Sequence, residues 1–150
     1  MARKHEGPYV AAAIFCDKLL KEEDGVLSAV RIVDRVIRTV KGPRAPEEMT
    51  AFPFKLGALI SLKSGTIKGK RTITWGMTDP NGKIIGRQSF DVVFQGEQHG
   101  VQLQITLNTT FTIEGVYWFE VTMGNKMLTR MPLQVVYERI TSKRVPNQAP

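Results

Sequence analysis

Nucleophilic or metal chemistry in this chain would have to start from Cys16, the histidines His5 and His99, and the serines Ser28, Ser61, Ser64, Ser89 and Ser142. None of the serines sits in a GxSxG nucleophile elbow. The histidines form no HxxxH or HExxH pair, and one thiol cannot build a thiolate metal site, so neither a metal nor a cofactor is expected. Cys16 lies in the apolar run Ile14-Phe15-Cys16 and reads first as a small buried hydrophobe. An enzyme site would need Cys16 to meet His99 across the fold, and that pairing is the one catalytic exception the residues leave open. Gly65-Thr66-Ile67-Lys68-Gly69-Lys70 lacks the GxxxxGK[ST] order of a phosphate loop. Glu22, Glu23 and Asp24 offer too few oxygens for calcium.

Other residues invite binding rather than catalysis. Lys63, Lys68, Lys70 and Arg71 stand in the acid-free stretch 55–71, and Lys143 and Arg144 in the acid-free tail, within a net charge of +7. They are candidate anion contacts for nucleic acid or an anionic membrane surface. Cationic strand edges also keep sheets from pairing with one another, and that solvated reading is the expectation. Asp17 and Asp34 each interrupt an apolar strand, which implies a structural ion pair with Arg31, Arg35 or Lys18. Trp118 stands opposite to Tyr117, Phe119 and Val121 in its strand. It is either covered by neighbouring structure or it is the candidate interface residue.

The elements that must hold these residues are mostly strands. In the stretch 113–137 around Gly124-Asn125, Tyr117, Phe119, Val121 and Met123 alternate with Trp118, Glu120 and Thr122, and Leu133, Val135 and Tyr137 with Gln134 and Glu138, the two-residue period of a hairpin. Residues 100–111 alternate most cleanly, with Val101, Leu103, Ile105, Leu107 and Phe111 against Gln102, Gln104, Thr106 and Asn108. Ile84, Phe90, Val92 and Phe94 are expected on one face, as are Ile73, Trp75 and Met77. Asp79-Pro80-Asn81-Gly82 is a turn. Residues 9–20 read as helix by alanine content, or as strand if Asp24-Gly25 turns a hairpin into the branched run 26–40. Residues 41–51 read as an exposed loop. Seven or eight strands with turn chemistry between them predict an antiparallel β-sandwich. Its expected layout is a flexible arm over 1–8, one domain over 9–138 and a basic mobile tail over 139–150.

The order Phe15-Cys16-Asp17, Asp24-Gly25, Leu27-Ser28, Phe52-Pro53-Phe54, Asp79-Pro80-Asn81-Gly82-Lys83 and Glu114-Gly115-Val116-Tyr117-Trp118-Phe119 resembles an uncharacterised bacterial family, a domain of unknown function. The resemblance spans about 9–137 and implies an immunoglobulin-like sandwich with residues 9–20 as strand; it carries over no activity. Gly115, Tyr117, Phe119 and Val121 are similar to the penultimate-strand pattern of immunoglobulin-like modules, where the tyrosine braces a loop.

No run approaches the ~20 apolar residues of a membrane span. The apolar run after the basic start ends at Asp17-Lys18, where a signal peptide would need small residues. One cysteine fits a reducing compartment, the cytoplasm. The expected function is protein contact, as a homo-oligomer or an accessory subunit, with polyanion binding as the alternative.

Overall fold

A computed structural model describes residues 6–141. Nine strands run through the described residues: β1 (Tyr9–Lys21), β2 (Leu27–Val33), β3 (Arg35–Lys41), β4 (Phe52–Lys63), β5 (Lys68–Thr78), β6 (Ile84–Gln95), β7 (Gly100–Phe111), β8 (Gly115–Met123) and β9 (Lys126–Ile140). They form two sheets, β2-β1-β4-β7 and β3-β9-β8-β5-β6. Residues 9–20 are strand.

The run 26–40 is not one strand but two, which raises the count to nine. It changes sheets at Asp34: β2 pairs antiparallel with β1, whereas β3 pairs parallel with β9. One continuous branched segment can serve both sheets because a single bend re-aims it from one layer to the other. The β3–β9 pair is the one parallel ladder among the described strands; the rest are antiparallel.

Inward side chains of both sheets make the core. Leu56, Ala58, Ile60 and Leu62 of β4 face Ile73, Trp75 and Met77 of β5 and Tyr117, Phe119 and Val121 of β8, all buried. The Trp75 ring stacks on Phe119 at 5.3 Å, and Phe15 meets Phe119 edge-on at 5.9 Å. Two residues before Phe119, the Tyr117 hydroxyl donates to the Ile113 carbonyl at 2.7 Å. A tyrosine corner opening the penultimate strand and a core tryptophan on β5 are immunoglobulin-like features. With a single cysteine there is no inter-sheet disulfide of the antibody kind; Phe15 and Phe119 meet edge-on across the two sheets instead.

Four local expectations change. The register shift between Met77 and Thr78 makes Ile84 point outward, 61% exposed, and gives the inner place to Ile85. Residues 41–51 are not a free loop: Ala45 and Met49 are buried, Tyr137 donates to the Pro46 carbonyl at 2.6 Å and Arg139 to the Ala45 carbonyl at 2.9 Å. That loop closes the open end of the sandwich over Phe52. Strand β9 continues to Ile140, past the expected boundary at 138, because β3 pairs with it as far as Lys41. Glu6–Pro8 are docked rather than loose. The Glu6 carbonyl accepts from the Thr66 amide and hydroxyl, each at 3.2 Å, and Lys126 donates to the Gly7 carbonyl at 3.2 Å. Gly7 and Gly65 lie back to back there, both at positive φ, and a Cβ on Gly7 would come within 2.6 Å of the Ser64 carbonyl.

Candidate contact surface

Trp118 projects from the outer face of the five-stranded sheet. Pairing sets one row across four strands, Ile84, Thr78, Trp118 and Pro132. In the next row Glu120 stands opposite Arg130. The Arg130 guanidinium lies 4.1 Å from the Trp118 ring centroid while its Nε donates to Glu120 Oε1 at 3.0 Å. Glu120 therefore fixes the fork over the indole, a cation–π arrangement in which the carboxylate sets the geometry. Trp118 is half-buried beneath it. Ile84, Val116 and Ile37, exposed by 61%, 38% and 48%, leave apolar area on the same face. Covering and exposure thus both hold for Trp118: one ring face is stacked, and its row is open to solvent.

Sequence reading found Trp118 but missed Arg130 and Glu120 as its partners. Counting outward from the Gly124-Asn125 turn pairs Glu120 with Thr129. The register shift between Val121 and Thr122 brings Arg130 opposite instead, and no residue pattern announces that bulge.

The basic residues gather at one end of the sandwich but face different ways. Lys63 ends β4 on the outer side of the four-stranded sheet. Lys68 and Lys70 lie on the outer side of β5, and strand alternation turns Arg71 to the opposite face. Lys70 is paired with Asp91 at 3.2 Å. The Lys70 ammonium and the Thr72 hydroxyl, the hydroxyl most, hold the Asp91 carboxyl below the usual carboxylate range. Lys143, Arg144, His5 and Ser142 lie outside the described residues.

Cys16 and His99 are not brought together. Cys16 pairs with Gly57 on β4, whereas the His99 carbonyl accepts from the Ser64 amide and from the Ser64 hydroxyl at 2.6 Å. Positions 57 and 64 are about 23 Å apart along an extended strand. The thiol is fully buried, and desolvation, helped by the Asp17 charge, raises its pKa despite a lowering backbone hydrogen bond from Lys18. A buried thiol with a raised pKa carries little thiolate and is a poor nucleophile. Asp17 pairs with Arg31 at 2.6 Å, an exposed ion pair of the expected kind. Asp34 instead marks the change of sheets. In the acidic turn, Asp24 accepts from the Val26 amide and Glu22 from the Ser28 hydroxyl. No group of three or more potential metal ligands occurs among the described residues.

The family of unknown function DUF6941 matches residues 11–136. The chain belongs to it. No curated protein matches the chain. Among solved structures, an immunoglobulin-like protein from Pseudomonas aeruginosa is similar at 15% identity and a TM-score of 0.46, over 89% of this chain and 99% of that one. The DNA glycosylase AlkC of Pseudomonas fluorescens is similar at 8% identity and a TM-score of 0.41, over 65% of this chain and 27% of its own. A β-glucosidase from Listeria innocua is similar at 11% identity and a TM-score of 0.44, over 88% of this chain and 17% of its own. The chain thus spans a minor part of both enzymes, and at this level of similarity none of the three bears on function. No helix of the described residues is long and apolar enough to cross a membrane.

Proposed function

We propose that this DUF6941 member is a non-enzymatic contact module, acting as a homo-oligomer or as an accessory subunit, with the outer face around Trp118 as its interface. One observation carries the reading: a tryptophan stacked under an ordered arginine sits mid-sheet, with exposed Ile84 in its own row and exposed Val116 in the row before it. Tryptophan and arginine are the residue types that dominate binding energy at protein interfaces. Isolated exposed hydrophobics are ordinary; several on one sheet face around a fixed aromatic are less so. We place the module in the cytoplasm of a bacterium, supported by the family resemblance and by a lone, buried Cys16 that has no second cysteine to pair with.

The test combines sedimentation of the purified chain with affinity capture from the native host, using wild type and Trp118→Ala. Self-association or a captured partner that the substitution removes is the expected result. A strict monomer, together with a capture profile that Trp118→Ala leaves unchanged, overturns the reading. The polyanion alternative draws on Lys63, Lys68, Lys70 and Arg71 sharing one end of the molecule. Its signature would be heparin or DNA binding that weakens steeply with salt, is lost on Lys-to-Glu changes at that end, and is indifferent to Trp118.

A further inference from the structure

The open edges of the two sheets are not protected alike. Edge β2 carries Arg31, held at φ 57 and paired with Asp17. Edge β3 carries Arg35, Arg38 and Lys41, and edge β6 carries Arg87 and Asp91 beside a register shift. Charges and irregularities of this kind blunt an edge against further pairing. Edge β7 has none: from Gly100 to Phe111 it contains no charged residue and no proline, and its ladder with β4 runs without a register shift. On its other side it has no strand partner among the described residues.

The position beside β7 also has a floor. The four-stranded sheet is one strand short of the five-stranded sheet, and the shortfall shows on the inner side of β6. Val92 and Phe94 there are buried, but Ile85, Gly86 and Phe90 are only partly covered, and Gln88, which faces inward opposite Trp75, is exposed. A groove of about 240 Å³ opens at this place, lined by Trp75, Met77, Ile85 and Gly86 below and by Thr106 to Thr109 along β7. Gly86 has no positive φ to explain it. A Cβ there would only touch the edge of the Trp75 ring, at 3.4 Å, so the glycine leaves that ring edge open. Glycine inside a strand often marks close approach of another backbone. Trp75 is 8% exposed, and its Nε1 has no acceptor among the described residues.

We infer that the β6–β7 flank is a strand-accepting groove. Its occupant is an extended, uncharged segment of a partner protein, pairing antiparallel with β7 as a fifth strand and laying alternate apolar side chains on Ile85, Phe90 and the Trp75 edge. Main-chain pairing along β7 supplies affinity, and the apolar floor supplies selectivity for a period-two pattern. A second folded copy fits less well. Its own β7 would arrive with an opposing sheet behind it, and the projecting β6 strands of both copies would meet. The inference accepts the contact-module reading but uses a different surface, so either can fail alone.

The probe is a dye-labelled, end-capped peptide with the sequence of residues 100–111, itself uncharged and alternating, titrated onto the full chain by fluorescence anisotropy. A peptide of the same composition with its apolar and polar residues in separate blocks is the control. Saturable binding of the alternating peptide is expected, with a shift in Trp75 emission in a Trp118→Phe background. Gly86→Val and Ile85→Asp, each checked for a cooperative melt, should weaken binding about ten-fold or more, while Trp118→Ala leaves it within about two-fold. Three results overturn the inference: no saturable binding, equal binding of the blocked peptide, or affinity indifferent to both groove variants. A dimer in which the β7 amides are protected from exchange also overturns it, since the occupant would then be a second copy.

Discussion

The Tyr117 hydroxyl and the Ile113 carbonyl are joined by a 2.7 Å hydrogen bond across the corner between β7 and β8, and the Ile113 amide approaches the same oxygen at 3.4 Å. Tyr117 is 1% exposed, and the bond itself is part-buried. Tyr117→Phe keeps the ring against Phe111, 4.8 Å between centroids, and removes only the oxygen. Losing one part-buried hydrogen bond costs about 0.5–1.5 kcal/mol. Urea unfolding should show a lower midpoint with an unchanged slope. An unchanged midpoint would mean the corner contributes nothing to stability.

Trp75 presents the opposite case. Its Nε1 is buried without an acceptor among the described residues, while its ring stacks on Phe119. Trp75→Ala should cost about 3–5 kcal/mol through lost burial and the cavity left behind. Trp75→Phe gives up part of that burial but also removes an orphan donor, itself a penalty of about 1–3 kcal/mol. The two effects oppose, and the net change should stay under about 1 kcal/mol. If Trp75→Phe proves as damaging as Trp75→Ala, the indole N–H has an acceptor after all.

Much of this fold was legible because strand alternation is enforced by burial. Val101 to Phe111 and Tyr117 to Val121 point as their spacing requires, since a one-residue slip would expose every apolar side chain. What was not legible depends on partners far along the chain. The change of sheets at Asp34 is marked only by an aspartate inside a branched run, and an aspartate held in an ion pair leaves the same mark. The docking of Ala45 and Pro46 depends on Arg139 and Tyr137, 94 and 91 residues away. Ile84 and Ile85 exchange places through a single register shift. The same limit applied to the site: Trp118 was visible as an outward tryptophan, while the arginine that covers it was hidden by a bulge. The β6–β7 groove was not visible at all, because an unfilled strand position is a property of sheet order.

Cys16 gives a pH prediction. Desolvation and the Asp17 charge raise its thiol pKa above the ordinary value of 9.0. The folded state therefore holds the proton more tightly than the unfolded chain. That contribution to stability is complete below the unfolded thiol pKa and is lost as pH rises through the folded value. Wild type should lose stability more steeply than Cys16→Ala as pH rises from the unfolded thiol pKa, about 8.5, through the raised folded value. Alkylation of the native protein should be slow and follow opening of the structure. Fast alkylation at neutral pH, or parallel stability profiles for the two proteins, would contradict the burial that raises the pKa.

Arg130 allows the covering of Trp118 to be separated from the stability of the sheet. Its bond to Glu120 lies on a solvated face, so the ion pair is worth about 0–1 kcal/mol and Arg130→Ala should hardly move the unfolding midpoint. The indole beneath it, however, loses the guanidinium now 4.1 Å from its centroid. In a Trp75→Phe background Trp118 is the sole tryptophan, so its emission reports this change directly. Arg130→Ala should red-shift that emission and raise acrylamide quenching, and Glu120→Gln, which frees the fork without removing it, should fall between. If the interface reading is right, Arg130→Ala also weakens any contact that Trp118→Ala abolishes, because the arginine holds the ring in place for a partner. Spectra unchanged by Arg130→Ala would show that the fork does not rest on the ring in solution, and would remove the ordered anchor on which the contact face depends.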